Sequence, residues 1–281
     1  MSEHHGALSR SRDPPPGPLP QAGEGEYVRC GRDARGVLTL TLARPQSFNA
    51  LSAGMLSALQ GELDAAAGDD TLRVVIIAAE GKAFSAGHDL KEMRAEPSQA
   101  YYEALFAQCS QMMLTIQRLP VPVIARVQGI ATAAGCQLVA ACDLAVAANT
   151  ARFAVSGVNL GLFCSSPSVA LSRNLQRKPA FEMLVTGDFI SAEEAKARGL
   201  VNRVADPDAL AAEVETLVAA IVAKPRVAIA MGKQLFYRQL EVGVEAAYDD
   251  AGRTMACNMM DEAALEGVQA FIEKRKPAWS G

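Results

Sequence analysis

The chain has 281 residues, of which 50% are hydrophobic and 21% are charged, as in ordinary globular proteins. Its 27 basic and 31 acidic residues give a net charge of −4, which argues against a nucleic-acid-binding surface. No apolar run reaches the ~18–20 residues that a membrane span requires. From the charge and from this absence of a long apolar run, we expect neither nucleic acid nor a membrane as a partner.

The N-terminal residues and the cysteines bear on location and metal binding. Residues 1–26 are rich in Pro and Gly and predict a flexible leader. They lack the apolar segment of a secretory signal, and their acidic residues argue against an organelle-targeting segment. Six scattered cysteines fit reduced thiols, and three histidines show no zinc-ligand spacing. We therefore expect a cytoplasmic protein without a metal site, with a mitochondrial relative left open.

Strand and helix signals alternate in the first half of the chain. Strands are predicted at residues 37–42, 73–79, 120–127 and 143–147, and helices at 52–68, at 101–118 and from Gly135. The run 73–79 is almost entirely apolar, as expected of a strand that is covered on both faces. This alternation predicts right-handed βαβ crossovers, a mostly parallel sheet and an α/β core over residues 27–205.

The C-terminal third has a helical pattern throughout. Ser191 and Glu194 have the spacing of a capping box that opens a helix. Further helices are predicted at about residues 208–223, 225–240, 243–258 and 261–274. Amphipathic helices of this kind often cover a subunit interface, so we interpret residues 206–281 as a helical oligomerisation region.

Two loops are candidates for a ligand site. Residues 80–91 follow the strand 73–79, and residues 128–137 follow the strand 120–127. Ligands bind parallel sheets beyond the carboxyl ends of the strands, and free N–H groups at a helix N-terminus attract an oxyanion or a phosphate. Both loops contain Gly and Ala just before a helix, which also fits tight packing alone. Neither loop is a dinucleotide fingerprint or a P-loop.

Four segments resemble the enoyl-CoA hydratase/isomerase (crotonase) family. They are Phe84-Ser-Ala-Gly-His-Asp-Leu-Lys91, residues 127–143, Arg44-Pro-Gln-Ser-Phe-Asn-Ala-Leu51 and residues 270–277. The resemblance covers residues 27–279 in order, and residues 131–140 and 157–167 resemble one particular branch of the family. It implies mostly parallel sheets of repeated ββα units with a C-terminal helical extension. It also implies a homotrimer or a dimer of trimers.

The resemblance further implies a coenzyme A thioester as substrate or ligand, and no covalently bound cofactor. The backbone N–H groups of His88 and Ala134 match the two oxyanion donors that polarise the thioester carbonyl. Several positions match residues that line the coenzyme A: Gln46, Ser47, Phe48, Ala86, Asp89, Leu90 and Lys91. Phe271 and Lys274 match positions that reach a neighbouring subunit's coenzyme A. A solvated surface role is the alternative for Lys91 and Lys274.

The sequence departs from the family at both glutamates of the hydratases. Gln137 stands at the first position and Gly157 at the second. An amide cannot take a proton from water, and glycine has no side chain. Because each acid–base group contributes roughly 10²–10⁴ in rate, we expect weak or altered hydratase and isomerase activity.

Other side chains near these positions have alternative interpretations. The imidazole of His88 could act in the cleft or face solvent. Asp89 could instead cap a helix, since it forms a capping-box spacing with Glu92. Cys164, with Ser165 and Ser166, fits a pocket lining better than a nucleophile, because no base is evident nearby in the sequence.

Three functional hypotheses follow from these residues. The first is an acyl-CoA-binding family member that holds the thioester carbonyl and has weak or altered activity. The second is a non-catalytic acyl-CoA-binding or regulatory protein. The third is another enolate-type reaction on an acyl-CoA, such as decarboxylation or thioester hydrolysis.

Overall fold

The computed structural model describes residues 26–279, so the predicted leader lies outside the described residues except for Glu26. A six-stranded sheet has the order β1-β2-β3-β5-β7-β10, and a four-stranded sheet has the order β4-β6-β8-β9. The strands are β1 Val28–Arg32, β2 Val37–Leu42, β3 Val74–Ala79, β4 Ala83–Ser85, β5 Val123–Val127, β6 Ile130–Thr132, β7 Leu144–Ala148, β8 Arg152–Ala154, β9 Ile190–Ser191 and β10 Arg203–Ala205.

Eleven α-helices accompany these strands within residues 26–279. They are α1 Ala53–Ala67, α2 Leu90–Ala95, α3 Gln99–Arg118, α4 Ala134–Ala141, α5 Ser165–Asn174, α6 Arg177–Thr186, α7 Ala192–Ala197, α8 Leu210–Val222, α9 Arg226–Gln239, α10 Val244–Met259 and α11 Glu262–Ile272. None of these helices is both long and apolar enough to cross a membrane.

The two sheets are built from repeated ββα units, which confirms the expected fold class. In each unit a long strand of the first sheet leads into a three-residue strand of the second: β3 into β4, β5 into β6, and β7 into β8. The neighbours β3, β5 and β7 pair in parallel, as do β4, β6 and β8. The short strands β4 and β6, which the sequence pattern did not predict, therefore lie within the two candidate loops.

The main sheet is covered on both faces. One face packs on the large core that contains residues of α1, α3 and α4. The other face packs on α8, whose Val214 and Val218 contact a cluster that includes Val74 and Ile124. Burial on both faces explains why β3 is an almost uninterrupted apolar run.

A buried ion pair joins α9 to the core. The Nζ of Lys233 donates hydrogen bonds to a carboxylate oxygen of Asp143 at 2.6 Å and to the carbonyl oxygens of Ile116 and Val121 at 2.9 Å each. The hydroxyl of Tyr237 donates to the other Asp143 oxygen at 2.7 Å. Asp143 also accepts a hydrogen bond from the Val123 amide at 2.6 Å, so the Lys233–Asp143 pair is structural and links the end of α3, the start of β5 and α9.

Candidate active site

The first loop presents the amide of His88. Gly87 has a φ of +86°, which favours glycine, and its carbonyl oxygen accepts a hydrogen bond from the Leu51 amide at 2.7 Å. Its own N–H donates to the Ser85 hydroxyl at 3.3 Å. The next amide, that of His88, donates no hydrogen bond within residues 26–279. It is free to bind a ligand oxygen.

The second loop presents the amide of Ala134. Ala133 precedes α4 with φ 50° and ψ −121°, a strained conformation for a residue that has a Cβ. The N–H of Ala133 donates to the Ala154 carbonyl oxygen at 3.0 Å, which holds the loop against β8. Ala134 then occupies the first position of α4, where a backbone N–H has no partner in its own helix.

The two loops lie in direct contact. A Cβ on Gly87 would lie 3.1 Å from the Ala134 nitrogen and 3.0 Å from the Thr132 carbonyl oxygen. A Cβ on Gly135 would lie only 2.2 Å from the Ser85 carbonyl oxygen. These glycines allow the loops to approach closely, which brings together the backbone segments that carry the His88 and Ala134 amides.

The His88 side chain is a neutral packing group. Its Nδ1 lies 3.2 Å from the Leu51 carbonyl oxygen, which can only accept, so Nδ1 carries the hydrogen. The ring contacts Phe106 edge-on, with the ring centroids 5.4 Å apart. Burial lowers the pKa of His88, and the hydrogen bond to Leu51 offsets part of that shift. The imidazole is therefore uncharged at neutral pH.

The segment around Gln46, Ser47 and Phe48 packs against the first loop. The Phe48 carbonyl oxygen accepts a hydrogen bond from the Ala86 amide at 3.0 Å. Asn49, which is fully buried, fixes this segment: its side-chain amide donates to the Glu80 and Ala83 carbonyl oxygens at 2.8 and 2.9 Å. The structure thus brings Gln46, Ser47, Phe48 and Ala86 together. The role of Asn49 was missed because a single buried Asn carries no periodic signal.

Asp89 is a helix cap. Its carboxylate accepts hydrogen bonds from the amides of Lys91 at 2.9 Å and Glu92 at 3.2 Å, at the start of α2. The reciprocal half of the capping box is not formed, because the Glu92 carboxylate accepts instead from the Ala53 amide at 3.1 Å. Leu90 and Lys91, the first residues of α2, are exposed beside the first loop.

Phe271 and Lys274 lie at a different place, at the end of α11. Phe271 is 85% exposed, and it lines a small apolar cavity of about 390 Å³ with residues of α9 and α10. A larger cleft of about 1420 Å³ lies between the β1–β2 turn and the helices α9 and α11. That cleft contains ion-paired residues such as Arg35 and Arg226 and none of the loop residues.

Positions 137 and 157, where the resemblance leads us to expect glutamates, are both buried. Gln137, in the first turn of α4, is 4% exposed, and its Oε1 makes no hydrogen bond to any described residue. Gly157 follows β8, and its N–H donates to the Cys164 sulfur at 3.3 Å. Burial raises the pKa of Cys164, which keeps its thiol protonated at neutral pH. The site thus has two free backbone donors, an amide and a thiol, and no carboxylate at either position.

The ββα units and the paired loop amides define a crotonase-type protein. The chain belongs to the enoyl-CoA hydratase/isomerase family, whose model matches residues 32–281. It is similar to mouse "Enoyl-CoA hydratase domain-containing protein 3, mitochondrial", with 45% identity over 89% of this chain and 83% of the mouse protein. Enoyl-CoA hydratase domain-containing protein 3 is the branch of the family that residues 131–140 and 157–167 resemble. The similarity over most of the chain confirms that prediction.

Two solved structures support the same assignment. A crystal structure named as an enoyl-CoA hydratase from Mycobacterium smegmatis is 67% identical, with a TM-score of 0.90 over 92% of this chain and 100% of that chain. The human enoyl coenzyme A hydratase domain-containing protein 3 is 44% identical, with a TM-score of 0.87 over 90% of this chain and 100% of that chain.

Proposed function

We propose that this protein binds acyl-CoA or enoyl-CoA and holds the thioester carbonyl between the His88 and Ala134 amides. The observation that carries the proposal is that these two unpartnered N–H groups lie on loops in direct contact. Such fixed donors stabilise charge on an oxyanion because they need no reorganisation when it develops, and each is typically worth ~10²–10³ in rate.

The proposed chemistry is weak or altered relative to a hydratase. Neither Gln137 nor Gly157 can transfer a proton between water and an acyl chain. In this proposal His88 does not replace them, since its ring is packed against Phe106 and its Nδ1 is hydrogen-bonded to the Leu51 carbonyl oxygen. The second candidate is a non-catalytic acyl-CoA-binding or regulatory protein. It is favoured by the close packing around Gly157, which leaves that position without a proton-transfer group.

A third candidate is an enolate-type reaction that needs no carboxylate base from the protein. Decarboxylation of an acyl-CoA that carries a carboxylate on its α-carbon releases CO2 and places the electron pair of the broken C–C bond on the thioester oxygen, where the two amides would stabilise it. Thioester hydrolysis would use the same donors for its tetrahedral intermediate. The uncharged polar groups at Gln137 and Cys164 are compatible with both reactions.

Coenzyme A would be bound by the segment beside the first loop. Gln46, Ser47, Phe48 and Ala86 lie together there, and Asp89, Leu90 and Lys91 begin the adjacent helix. Phe271 and Lys274 would contribute from a neighbouring subunit of a trimer or a dimer of trimers, in keeping with their exposure at the end of α11. In this proposal residues 27–205 form the binding core, and residues 206–281 form the oligomerisation region. The cytoplasmic location stays a prediction from the sequence, whereas the mouse relative is named as mitochondrial.

The test is calorimetric titration of the full chain with butyryl-CoA and crotonyl-CoA, with free coenzyme A as the matched control. We expect both thioesters to bind more tightly than free coenzyme A, because only they carry the carbonyl. In a parallel hydration assay, crotonyl-CoA should turn over far more slowly than with a two-glutamate hydratase. Absence of thioester binding would overturn the proposal. Rapid hydration would overturn the inference from Gln137 and Gly157.

A further inference from the structure

The space that a side chain at position 157 would need is already occupied. A Cβ on Gly157 would lie 2.6 Å from the Leu162 carbonyl oxygen and 2.7 Å from the Cys164 sulfur. Both distances are shorter than a Cβ atom tolerates, and the first neighbour is backbone, which cannot rotate away. The thiol of Cys164 therefore lies where the side chain of a larger residue at position 157 would begin.

A tight loop holds that sulfur in place. The Leu162 amide donates to the Gly157 carbonyl oxygen at 3.0 Å, and Gly161 turns the chain with a φ of +78°. The Gly157 N–H then donates to the Cys164 sulfur at 3.3 Å. Cys164 is buried and directly precedes α5. Its sulfur is thus fixed by the same backbone that would carry the second glutamate in a hydratase.

Gln137 provides an independent indication of a ligand. Its side chain is more than nine-tenths buried, yet its Oε1 has no hydrogen-bond partner among residues 26–279. Buried amide oxygens are nearly always satisfied by protein, by water or by a ligand. The pairing of β6 with β8, and a 2.9 Å hydrogen bond between the Thr132 and Ser156 hydroxyls, bring α4 beside the 157–164 loop.

The neighbouring side chains agree with this arrangement. Cys136, adjacent to Gln137 in α4, is fully buried. Burial raises the pKa of Cys136 to about 12, so this thiol also stays protonated. The two thiols, Cys136 and Cys164, are therefore both uncharged at neutral pH.

We propose that the Cys164 thiol is the side-chain group that this protein presents to the α-carbon of a bound acyl-CoA, with the Gln137 amide beside it. The inference rests on the proposed function and adds the residue that determines which acyl groups fit. A neutral thiol accommodates an acyl group with a negatively charged substituent at the α-carbon, which a carboxylate at the same place would repel.

The test is alkylation of the full chain by bromoacetyl-CoA, whose reactive carbon is the α-carbon of the acyl group. The Cys164 sulfur forms a bond to that carbon, the C–Br bond breaks, bromide leaves and the thiol proton passes to solvent. The reaction is run at mildly alkaline pH, and each cysteine is quantified by peptide mass spectrometry. Iodoacetamide, which has no coenzyme A moiety, serves as the reference reagent, and the exposed Cys30 serves as the reference thiol.

For each reagent we compare the labelling rate of Cys164 with that of Cys30. We expect this ratio to be at least about tenfold higher with bromoacetyl-CoA than with iodoacetamide, because binding positions the reactive carbon. Butyryl-CoA should slow the labelling of Cys164 and leave that of Cys30 unchanged, and Cys164→Ser should lose the protected label. Equal preference with both reagents, or a protected label on Cys136, would overturn the inference. If butyryl-CoA binds in the calorimeter but Cys164 is not labelled, only this inference fails. If butyryl-CoA does not bind at all, the proposed function fails with it.

Discussion

A Cβ at position 157 would overlap the Leu162 carbonyl oxygen and the Cys164 sulfur, so even alanine is too large there. We expect Gly157→Ala to lower the free energy of unfolding by about 1–3 kcal/mol, as overpacked core substitutions do. Gly61→Ala in α1 is the matched control, because no atom lies within 4 Å of its Cβ. It should raise stability by about 0.5–1 kcal/mol. Urea unfolding measures the change in stability of both variants. If Gly157→Ala left the free energy of unfolding unchanged, the 157–164 loop would have to move to make room for the added Cβ, which would contradict the rigid packing.

The packed position also bears on restoring a glutamate. Gly157→Glu must displace the 157–164 loop, so we do not expect it to recover hydration. Gln137 has no such obstacle in size, because glutamate has the same shape as glutamine. The missing carboxylates could be noticed in the sequence, but the obstruction at Gly157 could not, since it depends on a backbone atom five residues further along the chain.

His88 gives the stability of the fold a pH dependence. Burial lowers its pKa below the ordinary value of 6.5, so the unfolded chain binds the proton more readily than the folded one. Stability should therefore fall as the pH drops below about 6.5, and rise as the pH returns to that value. The measurement is the free energy of unfolding between about pH 5 and pH 8. In His88→Asn, the part of its pH dependence that comes from His88 should disappear. An unchanged slope would contradict the assignment of a buried neutral ring.

At the scale of elements, four long strands and most of the helices were predictable, whereas β1, α5, α6 and the short strands were not. β3 and α3 have runs long enough for an apolar or helical pattern to show. β4, β6 and β8 have three residues each, which is too short for any periodicity. The sequence could thus locate the two loops near strand ends. It could not show that a second sheet, made of these short strands, brings the loops into contact.

A buried ion pair is one of the contacts that attach α9 to the core. Lys233→Met removes three hydrogen bonds and leaves the Asp143 carboxylate buried without its cation. We expect a loss of about 3–5 kcal/mol in the free energy of unfolding, as when one partner of a buried pair is removed. Lys224→Met, an exposed lysine just before α9, is the matched control and should stay within about 0.5 kcal/mol. Equal effects in urea unfolding would mean that the pair does not anchor the helix.

At the scale of the whole molecule, α10 leaves an apolar face uncovered in the single chain. Val244, Tyr248 and Met255 lie on one side of this helix and are 76%, 77% and 71% exposed. We expect this face to be covered by another copy of the chain, because large contiguous apolar patches are uncommon on monomers. Light scattering after size exclusion should give a trimer or a dimer of trimers for the native chain. The double variant Tyr248→Ser/Met255→Ser should shift towards the monomer, and Arg253→Ser on the opposite face should not. A native monomer would contradict the oligomer.

The central claim is that two backbone amides polarise a thioester carbonyl, and infrared spectroscopy of that bond tests it most directly. Butyryl-CoA labelled with ¹³C at the carbonyl should show a carbonyl band at lower wavenumber when bound than when free. Ala134→Pro removes one donor at the first residue of α4, and Ala134→Gly keeps the donor as the matched control. The account predicts a shift that survives in Ala134→Gly and shrinks in Ala134→Pro. A bound ligand whose carbonyl band stays at its position in water would contradict it.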